Sequence, residues 1–234
     1  MQVQELRPGV WRWTLPHPEW TPEDAADDGW DRVVSSFFLR AGGALLLVDP
    51  LAPPPDSPEH ERFWRALDRD VEGHGSPPHV LLTVFWHARS TEEVATRYAG
   101  TSVWVHERAA REFGERIAFS HTFALDDDLP GGVRAIDAHR RGEVLLWVPE
   151  HRALVAGDVL LGTTEGSVRV CPDSWLPPDL GPAAFRAALR PLLELPVDLV
   201  LLAHGEPVLV NAREALAAAL TDGDLARHSP PSAR

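Results

Sequence analysis

Residues 82–90 of the chain read Leu82-Thr83-Val84-Phe85-Trp86-His87-Ala88-Arg89-Ser90. The apolar run that leads into them, residues 79–83, predicts a buried strand. The run that follows, Ser90-Thr91-Glu92-Glu93, predicts a capping box that opens a helix over residues 90–99. Loops held between a strand and a helix commonly carry binding and catalytic residues. This stretch is therefore the first place to look for a functional site.

The part of the chain before this stretch predicts strands. Residues 9–13 alternate apolar and polar side chains, and residues 33–39 do so more loosely. Ala44–Val48 is a continuous apolar run, as expected of a strand covered on both faces. Asp49-Pro50 ends it, and residues 59–67 predict a short amphipathic helix.

The later elements alternate in the same way between strands and helices. The expected strands are residues 102–105, 132–136, 142–148, 153–156 and 197–202, with a hairpin turn at 149–152; the expected helices are residues 107–113, 182–195 and 212–220. Residues 163–180 predict a long loop rich in Pro, Gly and Ser. Two mixed β-sheets packed face to face, with helices outside both, would satisfy this order.

Length and composition favour one globular domain. The 234 residues are 44% hydrophobic, enough for a substantial core, and the longest apolar runs are far too short to cross a bilayer. We assign residues 1–221 to a single domain and residues 222–234 to a polar, disordered tail. Residues 1–6 have neither a basic start nor an apolar core, so we expect no export signal. The single cysteine, Cys171, excludes an internal disulfide framework, so we expect a cytoplasmic protein.

The charge of the chain restricts its partners. The formal net charge is −13, so phosphate backbones and anionic membrane surfaces repel the protein. We therefore expect a small-molecule substrate or ligand, with neither nucleic acid nor membrane as a partner. All 22 basic residues are arginine, a composition bias that weakens any single arginine as a functional signal.

Four segments carry a resemblance to a known family. They are Leu47-Val48-Asp49-Pro50, Ala138-His139-Arg140-Arg141-Gly142-Glu143, Ala156-Gly157-Asp158-Val159-Leu160 and Ala203-His204-Gly205-Glu206-Pro207. In order and spacing they resemble the metallo-β-lactamase superfamily, over nearly the whole chain. The resemblance implies an α/β fold, a four-layer αββα sandwich of two mixed sheets. It also implies metal-ligand positions at His139, Asp158 and His204.

The family's His-x-His-x-Asp-His motif is degenerate in this chain. Aligned from Thr83 without a gap, the four ligand positions become Val84, Trp86, Ala88 and Arg89, and no ligand is left. Aligned on His87, with one extra loop residue, they become Phe85, His87, Arg89 and Ser90, and one ligand is left. We prefer the second register, because it also places Ser90 at the helix cap.

The resemblance implies a reduced metal site. His87, His139 and Asp158 would bind a single zinc ion with room for water, and His204 would lie beside it as an outer or proton-transferring group. Asp158 and His204 would be the catalytic residues. A second metal is not expected, because it would have only Asp158 and His204 as ligands, with Arg89 where an acidic ligand belongs.

Arg89 and Trp86 are further candidates for the site. The Arg89 guanidinium could replace the lost second cation and hold Asp158, or an anionic substrate group, in a bidentate pair. Trp86 could line the mouth of the pocket. The ordinary alternatives are a surface arginine at a helix start and a tryptophan that packs in the core or in a lid.

Two functions from different classes remain open. The first is a divergent hydrolase with at most one metal, in which metal-activated water acts on a small ester, thioester or amide. The second is a catalytically silent, metal-free protein that binds a small molecule or a partner protein, since a fold does not fix a function.

Overall fold

The computed structural model describes residues 1–25, 28–113, 118–163 and 166–225. The strands are β1 (Gln2–Arg7), β2 (Val10–Pro16), β3 (Val33–Ala41), β4 (Ala44–Val48), β5 (His79–Leu81), β6 (Ser102–His106), β7 (His121–Phe123), β8 (Arg134–Asp137), β9 (Val144–Val148), β10 (Ala153–Ala156), β11 (Leu160–Gly162), β12 (Val168–Val170) and β13 (Leu199–Leu202). The helices are α1 (His60–His74), α2 (Thr91–Arg97), α3 (Glu107–Phe113), α4 (Pro182–Leu189) and α5 (Ala212–Leu225).

The first sheet contains β1 to β7 in sequence order, antiparallel through β4 and parallel from β4 to β7. Strand β4 is buried on both faces, as its continuous apolar run predicts. Leu45 and Leu47 pack in one cluster with side chains of α1, α2 and α3, whereas Leu46 and Val48 pack in another with side chains of the second sheet. This alternation places helices on one face of the sheet and the second sheet on the other.

The second sheet has the order β13-β10-β9-β8, and β10 is parallel to β13. In β10, Ala153 and Val155 face the first sheet, while Leu154 and Ala156 pack against α4 and α5. Helices therefore cover both outer faces of the two sheets. The four-layer αββα sandwich predicted from the sequence is confirmed.

Several local predictions were wrong. Residues 163–180 are not all loop, because β12 pairs there with β11 in a small antiparallel sheet. Strands β1 and β7, and the hairpin partner β11, were not predicted. Both β1 and β7 are edge strands of the first sheet, and most of their residues are exposed, so neither strand has a continuous apolar run.

The predicted capping box is also wrong. Ser90 precedes α2, but its side chain makes no capping hydrogen bond. The Ser90 hydroxyl instead accepts a hydrogen bond from the backbone N–H of Ala52, at 2.9 Å. A tertiary contact between α2 and the chain after β4 has replaced the local cap.

The last helix is longer than predicted. Helix α5 runs to Leu225 rather than ending near residue 220, so the first residues of the expected tail are helical. Residues 226–234 of that tail lie outside the described residues. The assignment of one domain to residues 1–221 stays a prediction. No helix among the described residues combines the length and apolarity that a membrane span requires.

Candidate metal centre

The candidate site lies where strands of the two sheets end. Asp49 follows β4 and His87 follows β5, which are parallel neighbours in the first sheet. Asp158 and His204 follow β10 and β13, which are parallel neighbours in the second sheet. Backbone hydrogen bonds from Val144 N to Thr83 O, at 2.9 Å, and from Ser35 N to Ala203 O, at 2.8 Å, join the sheets at this end. His87, Asp158 and His204 consequently line one cavity, and Asp49 contacts His87.

Three potential ligand atoms converge at the base of this cavity. Asp158 Oδ1 lies 3.2 Å from His87 Nε2 and 3.1 Å from His204 Nε2, and the three ligand atoms all lie within 4.8 Å of one another. All three side chains are buried, yet Asp158 Oδ1 makes no contact with hydrogen-bond geometry. A buried carboxylate oxygen without a hydrogen bond, faced by two imidazole nitrogens, is the arrangement that a bound cation would satisfy.

Asp49 fixes the orientation of His87. Its carboxylate accepts a hydrogen bond from the backbone N–H of Thr83 at 2.9 Å, and its Oδ2 lies 2.9 Å from His87 Nδ1. The resulting pair leaves Nε2 of His87 as the nitrogen that faces Asp158. Metal-binding histidines are commonly held in this way by a carboxylate on the other ring nitrogen. The aspartate that the resemblance placed after the early strand therefore supports the site from behind.

The charges of the centre are tightly coupled. Burial and the charge of Arg89 both lower the pKa of His87, but the carboxylates of Asp158 and Asp49 outweigh them and raise it to about 9. Burial would raise the pKa of Asp158, but the charge of His87 and the contacts with His204 hold it well below its usual range. The carboxylate is thus ionised and lies among groups that stabilise its negative charge.

The structure does not bring His139 to this centre. Its side chain is 37% exposed, and its Nδ1 lies 3.9 Å from Asp137 Oδ2 instead. The backbone is in the left-handed region at His139, with φ of 56°, and again at Arg141 and Gly142, so the turn directs His139 outward. His204, which we placed beside the ion, takes its position in the group of three. The ligand set His87, His139 and Asp158 is therefore not assembled.

Arg140, rather than His139, points into the site, although no motif in the sequence singled it out. Its Nη1 donates a hydrogen bond to Glu143 Oε2 at 2.8 Å and lies 3.8 Å from Asp158 Oδ2. The guanidinium carbon lies 5.2 Å from the ring centre of Trp86 and 5.3 Å from that of Trp175. Two aromatic faces thus hold a buried cation beside the carboxylate. The paired arginines that follow His139 in the sequence were the available signal.

Glu143 is a second site residue that no motif in the sequence singled out. Its side chain is fully buried, and Oε1 accepts hydrogen bonds from the backbone N–H groups of Asp158 at 2.6 Å and Val159 at 2.7 Å. Burial and the charge of Asp158 raise the pKa of Glu143 to about 7. Through its two backbone hydrogen bonds, Glu143 fixes the backbone that carries Asp158. The residue before Asp158 must be small, because a Cβ on Gly157 would lie 2.6 Å from Thr83 Oγ1.

Trp86 and Arg89 both line the cavity but contact different groups. Trp86 donates its indole N–H to Asp158 Oδ2 at 2.6 Å. Arg89 donates from Nη1 to the backbone carbonyls of Ser35 at 2.9 Å and Asp49 at 3.0 Å. Its Nε and Nη2 are shielded from solvent and make no hydrogen bond within the described residues. The structure therefore shows no bidentate pair between Arg89 and Asp158, whereas the guanidinium of Arg140 lies 3.8 Å from Asp158 Oδ2.

The cavity has a volume of about 590 Å³, and two loops form part of its wall: the first contains Trp30 and the second contains Trp175. Trp30, in the first loop, packs edge-on against His204, with ring centres 5.5 Å apart. Trp175, in the second loop, donates its indole N–H to the backbone oxygen of Asp28 at 2.7 Å. His17 also lines the cavity, and burial together with the charge of Arg89 lowers its pKa to about 4. The loops are therefore joined to each other above the three convergent side chains.

The residues of the centre fit one metal ion. Two imidazole nitrogens and one carboxylate oxygen are ligands that zinc prefers. Ligand atoms about 2.0–2.1 Å from a tetrahedral zinc lie about 3.3 Å from one another, close to the 3.1 and 3.2 Å between Asp158 Oδ1 and the two imidazole nitrogens. Three protein ligands leave a fourth position for water or substrate, as in catalytic rather than structural zinc sites.

Comparison with known proteins shows the fold of the chain. No family model matches the sequence, and neither does any curated protein sequence. Solved structures do match. A metallo-β-lactamase from Pontibacter korlensis has a TM-score of 0.62 at 14% identity, over 94% of this chain and 99% of its own. A metallo-β-lactamase family protein from Thermus thermophilus has a TM-score of 0.60 at 19% identity, over 95% and 81%. The FIM-1 metallo-β-lactamase from Pseudomonas aeruginosa, in its mono-zinc form, has a TM-score of 0.60 at 13% identity, over 95% of both chains.

Proposed function

We propose that this chain, which has the metallo-β-lactamase fold, is a hydrolase that uses a single zinc ion held by His87, Asp158 and His204. The observation that carries the proposal is the convergence of two buried imidazole nitrogens on a buried carboxylate oxygen that has no hydrogen bond. The similar structures support it, because one of them is a metallo-β-lactamase in a mono-zinc form.

The chemistry follows from the open position of such a site. A zinc ion with three protein ligands supplies a Lewis acid and lowers the pKa of a bound water molecule to about 7. The chain's own residues prepare the place: Asp49 holds His87 in orientation, Glu143 holds the backbone of Asp158, and Trp86 holds its second carboxylate oxygen. Preorganised groups of this kind need no rearrangement when the substrate reacts.

The substrate we propose is a small ester, thioester or amide. The cavity volume of about 590 Å³ lies within the range of about 300–1,000 Å³ typical of small-molecule sites. Our proposal of a small molecule rather than nucleic acid or a membrane surface rests on the net charge of −13. The single cysteine, which is buried, supports our proposal that the protein works in the reducing cytoplasm.

Metal content after purification without chelators tests the ligand set. We expect about one zinc per chain in the wild-type protein and in the His139→Ala variant, whose side chain lies outside the group of three. The Asp158→Asn and His204→Ala variants should each lose the metal while keeping the far-UV circular dichroism spectrum of the wild type. Loss of zinc in His139→Ala with retention in His204→Ala would overturn the proposed set.

Hydrolysis of a panel of ester, thioester and amide substrates tests the activity. We expect turnover by the zinc-loaded protein, loss after chelation and recovery when zinc is restored. No turnover of any member by a protein with bound zinc would contradict the proposed chemistry.

One observation favours the second function, a metal-free binding protein. Asp158 Oδ2 already accepts a hydrogen bond from Trp86 and lies 3.8 Å from the Arg140 guanidinium, so protein groups compensate part of the carboxylate charge. A folded protein that takes up no zinc, even when zinc is supplied in excess, would favour that reading over the hydrolase.

A further inference from the structure

A second cavity, with a volume of about 610 Å³, lies between helix α1 and the outer face of strands β1, β2 and β3. Its apolar wall consists of side chains from both layers: Val3, Trp11, Trp13 and Phe38 from the strands, and Phe63 and Leu67 from the helix. It shares no lining residue with the cavity of the candidate metal centre. It is therefore a separate site.

The strand register explains why this surface is apolar and open. Val3 pairs with Trp13, and Trp11 pairs with Phe38, so all four side chains project from one face of the sheet. Helix α1 covers part of that face, where Phe63 packs on Trp13 with ring centres 5.5 Å apart. Val3 and Trp11 remain 55% and 37% exposed. Two large apolar side chains thus border a cavity that the helix layer does not close.

The rim of this cavity is positively charged. Arg62, Arg65 and Arg69 lie along the exposed side of α1, three and four residues apart. None of the three forms an ion pair with another described residue. Asp70, which also lines the cavity, is paired with Arg40 at 3.0 Å. A protein with a net charge of −13 therefore has three unpaired guanidinium groups beside one apolar cavity.

We propose that this cavity binds an amphipathic anion, an alkyl chain with a terminal carboxylate such as a fatty acid. The alkyl chain would lie against Val3, Trp11 and Phe38, where burial of apolar surface favours binding. The carboxylate would face the arginines of α1, whose planar guanidinium groups bind carboxylates in a bidentate manner. The cavity volume falls within the range of about 300–1,000 Å³ typical of small-molecule sites.

Calorimetric titration of the full chain with three probes of equal chain length tests the proposal. The probes are dodecanoate, dodecan-1-ol and dodecyltrimethylammonium, each below its aggregation threshold. We expect dodecanoate to bind and the cationic probe to bind at least about tenfold more weakly, because a charged hydrogen bond typically contributes that much. The measurement requires no metal, so it stands apart from the proposed hydrolysis.

Variants of the cavity residues test whether dodecanoate binds there. We expect Val3→Asp, which places a negative charge in the apolar wall, and the double variant Arg62→Ala with Arg65→Ala each to weaken dodecanoate binding at least about tenfold. Replacing the same two arginines by lysine should restore part of the affinity. Arg134→Ala, at an exposed arginine on the second sheet, is the matched control and should bind as the wild type does. Circular dichroism and thermal melting confirm that each variant is folded.

Three outcomes would overturn the proposal: no binding of dodecanoate, equal binding of the three probes, or binding that Val3→Asp leaves unchanged. Sedimentation of the wild type and of Val3→Asp supplies a further check. A wild-type dimer that becomes a monomer in Val3→Asp would show that a second copy of the chain, rather than a fatty acid, occupies the cavity.

Discussion

At the scale of single residues, Glu143 connects the parts of the candidate site. One carboxylate oxygen accepts hydrogen bonds from two consecutive backbone N–H groups, and the other accepts one from Arg140. Arg140 is in turn held between Trp86 and Trp175. A single buried carboxylate thus joins the turn that carries Asp158 to the loop that closes the cavity.

Replacing Glu143 with Gln should destabilise the protein. The amide oxygen of Gln can still accept the two backbone hydrogen bonds, but its NH₂ group then meets the Arg140 guanidinium, donor against donor. We expect the free energy of unfolding to fall by about 1–3 kcal/mol, the usual cost of an unsatisfied buried polar group. Urea denaturation measures it. Glu112→Gln, at an exposed position on α3, is the control and should leave stability within about 0.5 kcal/mol of the wild type.

Cys171 should be unreactive in the folded protein. Its side chain is buried, and burial raises the pKa of the thiol to about 12. Because the thiolate is the reactive form, we expect a thiol reagent to label the native protein very slowly at pH 8 and the urea-unfolded protein quickly. Between about pH 9, the pKa of the unfolded thiol, and about pH 12, the folded protein keeps the thiol proton and the unfolded chain loses it. The stability of the protein should therefore decrease as the pH rises through this range. Rapid native labelling would contradict the buried position.

At the scale of elements, the turn after β13 is held by a close approach of two backbones. A Cβ on Gly205 would collide with the backbone oxygen of Gly162, and a Cβ on Gly162 would collide with that of Glu206. The N–H of Gly162 also donates to the carbonyl of His204 at 2.9 Å. The glycines on both sides of this contact therefore set the position of His204.

Gly205→Ala should both destabilise the protein and displace His204. Gly43 provides a matched control, because φ is 78° at Gly205 and 73° at Gly43, but no atom lies within 4 Å of a Cβ at Gly43. Both substitutions carry the cost of a left-handed backbone, about 1–2 kcal/mol, and only Gly205→Ala adds a collision. We expect a larger loss of stability in Gly205→Ala than in Gly43→Ala, and we expect only Gly205→Ala to weaken the proposed zinc binding. Equal losses in both variants would show that the contact with Gly162 is unimportant.

At the scale of the whole molecule, the two sheets share the central core. Leu46 of the first sheet and Leu201 of the second belong to the same buried cluster, and neither side chain is exposed. The candidate centre lies at one end of this interface, and its candidate ligands follow strands of both sheets. Its geometry therefore depends on how the sheets pack against each other.

Leu46→Ala and Leu201→Ala should each lower the midpoint temperature of one shared unfolding transition. We expect each substitution to cost about 2–5 kcal/mol, from lost burial and the cavity left behind. Calorimetry should show one transition in the wild type and in both variants, because the shared core couples the sheets. Two separate transitions, each shifted by one variant only, would contradict the prediction of a single domain.

The sequence by itself determined the architecture, because long apolar runs such as Ala44–Val48 and their order along the chain depend on local patterns. The resemblance of four segments to a known family placed Asp158 and His204 among the candidates, and the alignment of the family's motif on His87 added that residue. Only the tertiary structure decided which of the candidates meet. The left-handed turn at His139 directs that imidazole outward and Arg140 inward, and Ser90 bonds to Ala52 rather than capping its helix. Both outcomes depend on contacts between segments distant in sequence, which no local pattern encodes.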